Sequence, residues 1–169
     1  MNMIVAYCKN RGIGIGNALP WHIKNELKYF KDLTTANEND CVIMGKNTWL
    51  SLPKKPLPNR TNIILSNSLK KENLSRNTLV FGDKDELINF VTKKKYTPWI
   101  IGGEQVYKSF INLRKLEKIY VTFVNKEYNC DTFFPKIPQN FKCIGKTEYK
   151  KYNNIFYRFE VYDKFRNTR

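Results

Sequence analysis

Trp99–Ile100–Ile101–Gly102–Gly103–Glu104–Gln105–Val106–Tyr107 joins a short apolar run to two glycines and then to the start of a helical pattern. An uncharged run of this kind, bounded by turn residues, suits a strand buried on both faces, and such strands belong to parallel sheets covered by helices. The same order occurs upstream, where Cys41–Met44 runs into Gly45–Lys46–Asn47–Thr48 and a short helical stretch spans Asn47–Ser51. Each junction leaves backbone N–H groups unpaired at the positive end of a helix dipole, where a phosphate or pyrophosphate binds. Lys46 adds a positive charge. One glycine turn is ordinary turn chemistry; two such junctions in one chain shift the reading towards a phosphate cradle.

Outward from these junctions, strand and helix alternate. Met3–Cys8 reads as a buried strand, and the loop after it holds Gly12, Gly14 and Gly16. That spacing is G-x-G-x-G with no helix directly behind it, so it does not fit the dinucleotide fingerprint of a Rossmann fold. From His22 to Thr35, Ile23, Leu27, Phe30 and Leu33 recur at helical spacing, with Lys24, Asn25, Lys28, Lys31 and Asp32 on the other side. Glu26 breaks the pattern, because it shares the apolar face with Ile23, Phe30 and Leu33. A proline-punctuated turn at Pro53–Pro58 precedes strands at Thr61–Leu65 and Leu79–Phe81, a helix at Asp83–Thr92 with an acidic cap, and a helix at Glu104–Asn112. Lys118–Val124, Phe141–Lys146 and Asn154–Tyr162 are strand-like, so the last third is mostly β. These elements predict an α/β fold: a mixed sheet, parallel first and antiparallel at one edge, with helices on both faces. In such sheets ligands sit beyond the carboxyl ends of the strands.

The chain has 169 residues, 41% of them hydrophobic, with no linker or repeat to divide it, which predicts one domain spanning 1–169. No apolar run approaches the ~20 residues of a membrane span, and no leader precedes the first strand, so a cytoplasmic protein is expected. Cys8, Cys41, Cys130 and Cys143 form no Cys-x-x-Cys pair and His22 is the only histidine, which points away from zinc and from a disulfide framework. Thirty Lys+Arg against 15 Asp+Glu give a formal charge of +15. The charges are dispersed, however, with Lys93–Lys94–Lys95 as a lone run of three, so nucleic acid is not the expected partner.

Five segments in this order carry a resemblance: Ala18–Leu19–Pro20–Trp21 with Glu26 behind it, Val42–Trp49, Pro56–Arg60, Ile100–Tyr107 and Asp131–Pro135. Together they resemble dihydrofolate reductase from about Met3 to Tyr162. The resemblance implies a dihydrofolate-reductase-like three-layer fold with a central eight-stranded mixed sheet. It further implies an enzyme that moves hydride from NADPH to dihydrofolate and binds antifolate inhibitors; a monomer is expected. A related reductase domain of riboflavin synthesis shares fold and cofactor, but Glu26 behind Leu19–Pro20–Trp21, with Arg60, argues against it. A basic nucleic-acid-binding module without catalysis is the other alternative.

The resemblance also assigns residues. Glu26 would bond the pterin's 2-amino and N3 edge and, raised in pKa by burial, assist protonation. Thr122 would hydrogen-bond that carboxylate, Trp21 would hold a water through its indole N–H, and Leu19 would lie on the loop over the nicotinamide. Leu27, Phe30, Leu52, Leu57 and Ile101 would line the slot for the folate rings, beside strand residues Ile4, Val5 and Ala6. Arg60 would grip the carboxylate of the folate tail. For the cofactor, Ala6, Ile13, Gly16 and Leu19 would lie along the nicotinamide side, with Ile101 and Tyr107. Gly45, Lys46, Asn47 and Thr48 would cradle the pyrophosphate together with Gly102, Gly103, Glu104, Gln105 and Val106. Leu65, Ser66, Asn67 and Lys84 would meet the adenosine end. The family also carries a cis peptide at the position of Gly102–Gly103.

Overall fold

The computed structural model describes residues 1–70 and 74–165. Five parallel strands supply the centre: β1 (Asn2–Cys8), β3 (Asp40–Gly45), β4 (Thr61–Leu65), β5 (Thr78–Phe81) and β6 (Thr97–Gly102). β7 (Lys118–Val124) runs parallel to β1, and β11 (Ile155–Lys164) returns antiparallel to β7. The far edge of β11 is shared by β10 (Lys150–Tyr152) and β9 (Phe141–Lys146). The order across the sheet is therefore β10-β11-β7-β1-β6-β3-β4-β5, eight positions with β9 beside β10 on β11. The mixed sheet with its antiparallel edge matches the expectation from sequence.

Period-2 alternation sends the strands' side chains to two cores. Met3, Val5 and Tyr7 of β1, with Cys41 and Ile43 of β3, meet α3 (Lys84–Lys93) and α4 (Glu104–Phe110) on one face. Ile4, Val42, Met44 and Trp99 face the other way and meet Phe30 and Leu33 of α1 (Lys24–Thr34) and Trp49 of α2 (Lys46–Ser51). A third, smaller cluster joins Ala6 and Cys8 to Trp21, Ile23, Val124 and Tyr157.

α3 starts where an acidic cap was expected, with Asp83 accepting from the Glu86 N–H at 2.8 Å. α1 is shorter than its periodicity suggested: His22 and Ile23 lie before it, and Ile23 takes the N-cap position without a side-chain cap. α4 stops at Phe110 rather than Asn112. Three strands had no sequence pattern to show them. β2 (Gly12–Gly14) lies within the glycine loop and pairs antiparallel with β8 (Thr132–Phe133), while β10 is short and polar. Pairing by backbone alone leaves no apolar alternation to read. Among the described residues no helix is long and apolar enough to cross a membrane.

Candidate active site

The site is built where β1, β3 and β6 end. Glu26 enters from the first turn of α1, 8% exposed, and its carboxyl makes no hydrogen bond or ion pair among the described residues. Burial raises its pKa from 4.5 to about 7. The helix N-terminus beside it favours the charged form, so desolvation outweighs the dipole. Trp21, on the segment leading into α1, presents a second unmatched group. Its indole Nε1 is buried and, among the described residues, is the one buried side-chain nitrogen or oxygen without a hydrogen-bond partner. A buried donor of this kind costs free energy unless a ligand or water takes it.

Thr122 lies on β7, opposite Ala6 on one side and Phe159 on the other, and is 2% exposed. The hydrogen bond to Glu26 implied by the resemblance is not made. A threonine hydroxyl hangs on one short χ1 arm and reaches only close neighbours, and the Glu26 carboxyl carries no hydrogen bond to lower its pKa.

Phe30, Leu52, Leu57 and Ile101 are half-buried and pack on one cluster with Ile4, Met44 and Trp49. Leu27 instead stands 45% exposed, so the apolar stripe of α1 is narrower than its spacing suggested. The Val5 side chain points to the opposite core.

Arg60 is 6% exposed, a burial that an isolated arginine in the sequence does not announce. Its Nη1 donates to the Thr34 hydroxyl and its Nε to the Pro58 carbonyl at 2.9 Å, and the guanidinium lies 5.8 Å from the Phe30 ring centre. Burial lowers its pKa. Thr34 in turn donates to the Phe30 carbonyl at 2.7 Å. Asn62 of β4 holds the same loop from below: its side chain accepts from the Leu57 N–H at 2.9 Å and donates to the Leu57 carbonyl at 2.9 Å and the Arg60 carbonyl at 3.1 Å. Thr34 and Asn62 were not foreseen, because a single polar residue in a helix or strand leaves no periodic trace.

On the other flank the two glycine junctions meet. Met44 is paired with Gly102 across β3 and β6, so their strand ends lie side by side. A Cβ built on Gly45 would stand 3.2 Å from the Val106 side chain, and one on Gly103 would stand 3.2 Å from the Thr48 hydroxyl. Neither α2 nor α4 has a side-chain cap at its N-terminus. The Gly102–Gly103 peptide is cis, and Gly102 has φ +119 with its Cα against the Tyr107 ring. Tyr107 is 4% exposed, and its hydroxyl donates to the Ile4 carbonyl at 2.8 Å, which ties this flank to β1. Glu104 pairs with Lys108 at 2.6 Å, while Gln105 and Asn47 are exposed.

Lys46 donates to the Ser68 hydroxyl at 3.0 Å, and Ser66 closes the turn below it by accepting from the Ser68 and Leu69 N–H groups. Asn67 packs against Gly82, and Leu65 ends β4 in register with Phe81. Lys84 donates to the Ser109 carbonyl at 3.3 Å, on the α4 side. Of the loop residues, Leu19 is 47% exposed, and Ile13 and Gly16 are tethered through β2 and through the Gly16 N–H to Asp131 Oδ2 at 2.8 Å.

Backbone amides and glycines at neighbouring parallel strand ends, beside a buried acid, mark a nucleotide-using enzyme of the α/β class. The sequence model described as dihydrofolate reductase matches residues 1–164. The chain is 37% identical to dihydrofolate reductase of Heliothis virescens over 97% of each chain. It is 38% identical to dihydrofolate reductase of Gallus gallus over 97% of this chain and 96% of the relative. It is also 40% identical to the viral dihydrofolate reductase of Saimiriine herpesvirus 2 (strain 488), over 99% of this chain and 86% of the relative. The chain belongs to the dihydrofolate reductase family. It is thereby an oxidoreductase with NADPH as its cofactor, in a family that binds dihydrofolate and antifolates and forms tetrahydrofolate.

Proposed function

We propose that this chain reduces 7,8-dihydrofolate to 5,6,7,8-tetrahydrofolate, with Glu26 as the group that assists protonation of the pterin. NADPH supplies the hydride. The observation that carries the reading is Glu26 itself, a buried carboxyl without a partner and with its pKa raised to about 7. A carboxyl of that pKa exists in both forms near neutrality, so it can accept the paired N–H donors of a pterin edge and can also hold a proton for delivery, directly or through water. The unpaired Trp21 Nε1 is the proposed donor to such a water. Thr122 is proposed to orient the carboxyl once substrate is bound.

Arg60, held by Thr34 and Pro58, is the group for the carboxylate of the folate tail. Leu27, Phe30, Leu52, Leu57 and Ile101 form the walls for the rings, and Ile4, Val5 and Ala6 supply strand backbone beside them. The residues fit the cofactor, because neither α2 nor α4 spends its first backbone N–H groups on a side-chain cap, and Gly45 and Gly103 let Val106 and Thr48 pack closely where the two strand ends meet. Thr48, Lys46 and the α2 and α4 amides would hold the pyrophosphate, Ser66, Asn67 and Lys84 the adenosine end, and Leu19, Ile13 and Gly16 the nicotinamide side. The protein is proposed to act as a one-domain cytoplasmic monomer that takes small molecules rather than nucleic acid, in support of one-carbon metabolism and thymidylate synthesis.

The test is the fall in NADPH absorbance with purified protein and dihydrofolate, run beside NADH and beside a pyrimidine ribityl phosphate. Loss with NADPH and dihydrofolate is expected. Loss with the pyrimidine alone would transfer the chain to the riboflavin-type reaction.

A further inference from the structure

Cys8 and Cys130 lie far apart in sequence and come together in the cluster that holds Trp21, Ala6 and Tyr128. Gly12 shows how closely they crowd. A Cβ built on it would stand 2.3 Å from the Cys130 Sγ and 3.0 Å from the Cys8 Sγ, so the two sulfurs fill the space a side chain would need. Both are free thiols. Cys8, at the end of β1, is fully buried and donates to Asn10 Oδ1 at 2.8 Å, whereas Cys130, just before β8, is partly exposed. Cys41 is enclosed in the core on the α3 and α4 side, and Cys143 sits on the exposed strand β9.

The pair stands at the base of a loop. Between Cys8 and Trp21 the chain is fastened to the segment after Cys130 by Gly12 pairing with Phe133, by Gly14 pairing with Thr132, and by the Asp131 N–H donating to the Gly14 carbonyl at 3.0 Å. Such backbone bonds open and close, so the loop can leave and return as long as nothing covalent holds it.

We propose that Cys8 and Cys130 form a reversible intramolecular disulfide when the protein meets a small-molecule disulfide such as oxidised glutathione, and that this bond slows turnover by fixing the base of the loop. Exposure sets the order of events. The Cys130 thiolate attacks one sulfur of oxidised glutathione and expels one glutathione thiolate; the Cys8 thiolate then attacks the Cys130 sulfur of the mixed disulfide and expels the second. The two protein thiols give up two protons and two electrons, and the oxidant leaves as two thiols. In an intracellular enzyme a disulfide of this kind serves as a transient redox signal rather than as a structural brace. The effect on turnover rests on the reductase reading, while formation of the bond does not.

The full-length protein is treated with oxidised glutathione, quenched with an alkylating reagent, and followed by intact mass, peptide map and NADPH-dependent turnover. Expected are loss of two alkylatable thiols, a mass lower by two hydrogens, a Cys8–Cys130 cross-linked peptide and a fall in turnover, all reversed by dithiothreitol. Cys130→Ser and Cys8→Ser should keep their starting turnover after the same treatment. A glutathione adduct without a cross-link, a cross-link through Cys41 or Cys143, or a cross-linked protein with unchanged turnover would overturn the proposal. Mass and map need no activity, so failure of the disulfide and failure of the reductase reading are told apart.

Discussion

The two flanks of the candidate site are made of opposite materials. On the flank proposed for the pterin, the candidate groups are side chains that are buried and costly: Glu26 with no partner for its carboxyl, Trp21 with an unmatched N–H, and Arg60 clamped between Thr34 and the Pro58 carbonyl. On the flank proposed for the phosphates the candidate groups are backbone, at strand ends where Gly45, Gly102 and Gly103 leave no room for a side chain beside Val106, Tyr107 and Thr48. The first flank should therefore fail when a side chain is removed or neutralised, and the second when one is added.

The largest expected effect is at Glu26. Glu26→Gln should lower turnover by about 10²–10⁴-fold, the range for a lost acid–base group, with little change in NADPH binding. Steady-state kinetics with each ligand varied in turn checks this, and a near-wild-type rate would remove Glu26 from the mechanism. The same residue predicts a stability trend. Its folded pKa lies above the unfolded one, so the folded state binds the extra proton, and its contribution should decline as pH rises from 4.5 to about 7. Thermal melts across that window should show a decline in wild type that Glu26→Gln flattens.

Arg60→Leu should weaken dihydrofolate by about 1.5–3 kcal/mol, the worth of a hydrogen bond to a charged group, and leave NADPH nearly untouched. Equal loss for both ligands would mean a disturbed fold instead. Gly102→Ala tests the other flank: φ is +119 and the new Cβ would stand 3.2 Å from the Tyr107 ring. Strain of about 1–3 kcal/mol should appear as a lower melting temperature and a higher KM for NADPH. If the KM for dihydrofolate rises as much as that for NADPH, the division between the flanks is lost. The smallest effect belongs to Asp83→Ala, at the cap of α3 beside Lys84, which should cost about 1 kcal/mol of stability by loss of a helix cap and leave the KM for dihydrofolate unchanged.

The comparison also separates what could be read in the sequence from what could not. Both glycine junctions and the parallel strands feeding them were legible, because apolar runs ending in glycine have few other uses. Glu26 was legible as a carboxylate on an apolar stripe. The clamp on Arg60 was not, since Thr34 and Asn62 act through contacts that local periodicity does not record. β2, β8 and β10 escaped because glycines and exposed lysines pair through backbone without alternation. The Cys8–Cys130 meeting escaped for the same reason as the clamp: it is made by the fold alone. In one case the resemblance promised more than the fold provides, for the Thr122–Glu26 hydrogen bond is not made.

The most direct test of Glu26 as the proton-holding group is the pH dependence of NADPH-driven dihydrofolate reduction, measured for the wild type and for Glu26→Gln. The wild-type rate should fall as pH rises through about 7, because a proton donor is lost as it ionises, and the variant should be slow and flat across the same range. A variant that keeps the wild-type rate and the same inflection would contradict the account.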